Sequence, residues 1–82
     1  MTTAPQFTLL SRVGCELCED MLLELQTFCG SNPGQVEVVD VDADAQLRTR
    51  FGHKVPVLLL DGSPVCHGQF DADEVRRLLR ER

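Results

Sequence analysis

Phe7-Thr8-Leu9-Leu10-Ser11-Arg12-Val13-Gly14-Cys15-Glu16-Leu17-Cys18 is the stretch that decides the fold. Its first five residues form a short apolar run with strand character. Arg12 to Gly14 read as a loop, and a helix is predicted from about Cys15 to Cys29. Leu17, Met21, Leu25 and Phe28 recur at spacings of four, four and three, which defines one helical face. Gly30 ends this helix, and Asn32-Pro33-Gly34 supplies a turn behind it. Two cysteines three apart therefore fall where a strand hands over to a helix.

Downstream, Val36 to Val41 is β-branched and predicts a second strand. Asp42 is placed to cap a short helix through Phe51, with Ala43, Leu47 and Phe51 on its inner face and Gly52 as its stop. Pro56 to Leu60 is apolar on both faces, as in a central strand. Asp61-Gly62 is a two-residue hairpin signal. The returning strand, Ser63 to His67, contains Pro64, which lacks an amide donor and marks a sheet edge. The last helix opens at Asp71, with Glu74 as a capping-box partner and Phe70 with Val75 as a hydrophobic staple. Val75, Leu78 and Leu79 then face the sheet. The order βαβαββα predicts an α/β fold over residues 1–82 as a single domain, with a four-stranded mixed sheet and helices on both faces.

Composition narrows the function. The 82 residues carry a formal net charge of −5, which argues against a nucleic-acid binder. The longest apolar run, Val55 to Leu60, is too short to span a bilayer. The first residues lack the basic start and apolar stretch of a secretory signal, so a cytoplasmic location is expected. Four cysteines in a reducing compartment do not read as a structural disulfide framework.

Cys15 and Cys18 are candidate catalytic residues. A helix N-terminus offers unpaired N–H groups and a positive dipole end, which favour thiolate. Arg12 adds positive charge, whereas Glu16, Glu19 and Asp20 oppose it. Such a pair suits exchange with a substrate disulfide and needs no metal and no bound cofactor. Half of a zinc site is the alternative, with Cys66 and His67 completing it if the fold brings them close. Cys29 and Cys66 read as packing thiols. His53 and Lys54 either draw an anionic substrate or are a solvated loop.

Arg12 to Cys18, then Val55-Pro56, then Gly68 to Asp71 stand in an order that resembles the glutaredoxin-like branch of the thioredoxin superfamily. The resemblance implies a thioredoxin-like fold of glutaredoxin type and a thiol–disulfide oxidoreductase acting on protein disulfides or glutathione mixed disulfides. It further implies that Pro56 is a cis-proline packed against the dithiol and that Val55 offers backbone hydrogen bonds to substrate. Arg12 would hold a glutathione carboxylate, Asp71 would contact the glutamyl end, and Gly68 would stand in the substrate-binding turn. Partners implied are a disulfide-bearing protein or glutathione, with glutathione or a reductase as electron donor, no nucleic acid and no membrane, and a monomeric enzyme. Glu16-Leu17 stands where glutaredoxins carry Pro-Tyr, and His67-Gly68 where they carry Gly-Gly. The other readings are a module holding a metal or an iron–sulfur cluster through Cys15, and a redox-idle structural domain.

Overall fold

The computed structural model describes residues 5–30 and 35–81. The elements are β1 (Phe7–Ser11), α1 (Glu16–Cys29), β2 (Val36–Asp40), α2 (Ala45–Phe51), β3 (Val57–Leu60), β4 (Ser63–His67) and α3 (Ala72–Arg80). The turn expected at Asn32-Pro33-Gly34 lies outside the described residues.

The strands stand in the order β2-β1-β3-β4. β1 runs parallel to β2 and antiparallel to β3, and β3 runs antiparallel to β4. The hairpin between β3 and β4 turns on Asp61 and Gly62, both at positive φ (49° and 88°). A type I′ turn requires that sign at both central residues.

Two apolar clusters sandwich the sheet. On one face Phe7, Leu9, Leu58 and Leu60 meet Met21 and Leu25 of α1 and Val75 of α3. On the other, Leu10 and Val57 meet Val41 and Phe51. Alternation along β1 explains the split: Phe7 and Leu9 point one way and Leu10 the other.

Three local expectations are corrected. Leu17 is 57% exposed, and Cys18, 1% exposed, takes its place in the inner stripe with Met21 and Leu25. Asp42 caps nothing. A 3-10 turn at Val41–Ala43 is capped by Asp40, and α2 by Asp44, whose carboxylate accepts from the amides of Gln46 and Leu47. Ala43 accordingly lies exposed and not on the inner face. In β4 a bulge opposite Leu58 and Leu59 breaks the alternation, and Val65 and Cys66 both pack on the α1-side cluster.

Candidate active site

Cys15 is the N-cap residue of α1, in extended backbone geometry. Its Sγ accepts a hydrogen bond from the Cys18 amide at 3.1 Å. The loop before it closes tightly: the Cys15 amide donates to the Arg12 carbonyl, and Gly14 takes a positive φ of 78°. Cys15 and Cys18 are joined by a disulfide, their Cα atoms 5.2 Å apart. Cys15 is part-exposed, whereas Cys18 is buried in the core beside Met21. The strand–loop–helix handover thus leaves one cysteine part-exposed and buries the other.

Arg12 is committed within the protein. Its guanidinium makes a two-pronged pair with Asp42, Nε to Oδ2 at 2.7 Å and Nη2 to Oδ1 at 3.0 Å. Nη1 donates to the Gly52 carbonyl at 2.9 Å. Gly52 has no room for a side chain: a Cβ there would stand 2.5 Å from the Arg48 carbonyl oxygen and 3.2 Å from Arg12 Nη2. The Asp42 hydrogen bond raises the guanidinium pKa, and the same bond lowers that of the Asp42 carboxyl. Arg12 therefore fastens the loop before Cys15 to both flanks of α2, the 3-10 turn ahead of it and Gly52 at its C-terminal end.

The Val55–Pro56 peptide bond is cis. Pro56 is buried and Val55 part-exposed. The Pro56 carbonyl accepts from the Gly68 amide at 2.8 Å, so the bend before β3 is tied to the end of β4. Gly68 sits at φ 77°, which a side chain would strain. Asp71 is the N-cap of α3, its Oδ1 accepting from the Glu74 amide at 3.0 Å. The return half of the expected capping box is absent, because the Glu74 carboxylate is taken by Arg77 at 2.7 Å.

Cys29 and Cys66 are both part-buried, and burial pushes both thiols up. At Cys66 the Asp71 main chain opposes that shift. Among the described residues no group of three or more His, Cys, Asp or Glu is arranged to hold a metal ion, so Cys66 and His67 do not join the pair.

The family model of the Glutaredoxin-like domain (DUF836) matches residues 6–80. The chain belongs to this family. The uncharacterized protein Rv0508 of Mycobacterium tuberculosis is 35% identical, the match covering 88% of this chain and 77% of that protein. The solution structure of protein Ne2328 from Nitrosomonas europaea is similar at a TM-score of 0.83 and 25% identity, over 95% of this chain and 94% of that one. The X-ray structure of XcR50 from X. campestris is similar at 0.66 and 32% identity, over 93% and 97%. The holo form of glutaredoxin C1 from Populus tremula x tremuloides shares the fold, with a TM-score of 0.52 at 20% identity over 93% of this chain and 75% of that one. The family and the sulfur pair together fit a redox role for this glutaredoxin-like domain. Among its described residues no helix is long and apolar enough to cross a membrane.

The sequence reading passed over two features of this surface. Asp42 and Gly52 hold Arg12 from 30 and 40 positions away, a pairing that no local pattern announces. Val13 and Leu17 flank Cys15 as exposed apolar residues, Val13 at 88%. An apolar residue in a loop with no inward face was the available signal for Val13.

Proposed function

We propose that this glutaredoxin-like domain is a thiol–disulfide oxidoreductase in which Cys15 attacks and Cys18 resolves. The observation that carries the reading is the unequal exposure of the linked pair, Cys15 part-exposed and Cys18 at 1%. In the reduced protein the Cys15 thiolate attacks one sulfur of a substrate disulfide. That S–S bond breaks, one substrate thiolate leaves, and Cys15 is held in a mixed disulfide. Cys18, having given up its proton, attacks Cys15 Sγ and displaces the second substrate thiolate. The substrate gains two electrons and two protons, and the protein is left as the Cys15–Cys18 disulfide. A donor dithiol or two glutathione molecules, recycled by a reductase, restores the dithiol.

Val55, part-exposed beside Pro56, offers its main chain to the substrate, and Gly68 fixes Pro56 from behind. An anionic co-substrate such as glutathione has to displace Asp42 to reach Arg12, and Asp71 already serves α3. Protein disulfides are therefore the favoured substrates, reduced in the cytoplasm by a monomer. The test is catalysed reduction of a protein disulfide with glutathione and its reductase as donor, run beside the same assay with thioredoxin reductase. Turnover with either, lost in Cys15→Ser and replaced by trapped mixed disulfides in Cys18→Ser, is expected. No turnover with either donor, and no change in free thiols on reduction, would overturn the reading. Metal or iron–sulfur content in untagged, chelator-free protein would instead favour a binding module at Cys15.

A further inference from the structure

We infer that the groove between α1 and the β4–α3 loop docks an extended, lysine- or arginine-bearing segment of the partner protein beside its disulfide. The inference deepens the proposed function and rests on it for the identity of the occupant. The groove starts at the redox motif. Leu17, between the two cysteines, forms one wall, and Gly68, Gln69 and Phe70 form the other. Asp20 and Glu24 line it, and its volume is about 130 Å³. A second hollow of about 340 Å³ continues from it, sharing Glu24 and Phe70 and reaching Phe28 and Arg76.

Length identifies the kind of occupant. From Leu17 to Phe28 the helix advances ~16 Å at 1.5 Å per residue. An extended chain covers that distance with about five residues. A tripeptide thiol fills only part of it, whereas a strand of substrate protein fills it all.

Charge identifies the occupant's sign. α1 carries Glu16, Glu19, Asp20 and Glu24 and no basic residue. Glu16, Asp20 and Glu24 follow one another at intervals of four, an arrangement in which like charges repel. Among the described residues none of these carboxylates has an ion-pair partner. Of the nearby cations, Arg12 is held by Asp42 outside the groove, and Arg76, at the far end of the second hollow over the Phe28 ring, is paired with Asp73 at 3.0 Å. Lys54 and His67 line a different hollow, against Phe51 of α2. A cationic side chain in the groove relieves the repulsion along α1, with its aliphatic stem on Leu17 and Phe70.

The test uses two fluorescent peptides that differ only in lysine or glutamate at the flanking positions. Serine replaces cysteine for binding, read by anisotropy, and disulfide versions report reduction. The lysine peptide should bind on the order of 2- to 30-fold tighter at low salt, as two surface ion pairs allow. The ratio should fall toward one as salt rises. Asp20→Asn with Glu24→Gln should erase the preference, and Asp20→Lys with Glu24→Lys should invert it. If the inverted variant does not fold, the neutral one decides. Equal binding of both peptides, or a preference that neither variant moves, overturns the inference. A binding preference without reduction of either disulfide peptide would sink the oxidoreductase reading while leaving the docking groove standing. Reduction of both peptides without a binding preference would do the reverse.

Discussion

Replacing Asp71 separates helix capping from substrate contact at a single carboxylate. Its Oδ1 accepts the Glu74 amide at 3.0 Å from the N-cap position of the nine-residue α3. Asp71→Ala leaves that amide without a side-chain acceptor, a loss of about 0.5–2 kcal/mol. In a domain of this size about 1 kcal/mol moves Tm by about 4–8 °C. A drop of that order is therefore expected for alanine. Asparagine and serine keep an acceptor and cap about as well as aspartate. Asp71→Asn should melt with the parent and retain kcat/KM for a protein disulfide to within about twofold, since only the charge is gone. Thermal melts by circular dichroism and steady-state reduction assays well below Tm read the two effects apart. An alanine variant with unchanged Tm would refute the capping argument. An asparagine variant with unchanged Tm but a tenfold loss in kcat/KM would refute the assignment of this carboxylate to the helix alone.

Leu25 is fully buried between α1 and the sheet, so Leu25→Ala should lose about 2–5 kcal/mol in urea unfolding; a loss below about 1 kcal/mol would mean the site is not packed as described. Burial raises the thiol pKa of Cys29 and Cys66, which keeps both protonated above the usual thiol range. Their stabilising contribution is present below the unfolded pKa and lost as pH rises through the folded one. Iodoacetamide should therefore label them more slowly than a free cysteine at about pH 8, and labelling at the free rate would contradict the burial. The Arg12 hydrogen bond lowers the Asp42 pKa, so its contribution holds above the ordinary carboxylate value and disappears as pH falls through the folded one. Asp42→Asn should flatten that part of the acid limb in unfolding measured against pH, and parallel curves for parent and variant would refute the pairing.

The order of strands and helices was legible because periodicity, Pro64 and the Asp61-Gly62 hairpin all act within a few residues of themselves. The sulfur pair was legible for the same reason, since the cap and the cysteines share one turn. What stayed hidden depends on contacts across the fold. Asp42 was the expected cap, but the reach of Arg12 from the loop after β1 diverts it, and Asp40 and Asp44 cap the 3-10 turn and α2 instead. Leu17 occupies a correct helical interval, yet Cys18 fills the core position, because a cysteine in a reactive motif also serves as a small apolar side chain. The bulge in β4 follows from pairing with β3, so Val65 and Cys66 gave no sign of sharing a side. The groove along α1 was equally unreadable, since its second wall comes from residues 68 to 70.

The sulfur that caps the start of α1 is also the one that, in the proposed function, trades electrons. Cys15 Sγ takes the Cys18 amide as its donor, so the frame around this sulfur belongs to the helix. In the proposed exchange the covalent neighbour of that sulfur changes, within hydrogen-bond reach of the Cys18 amide. The backbone amide of residue 18 is therefore expected to report the oxidation state of the pair, as a change in chemical shift between oxidised and reduced protein.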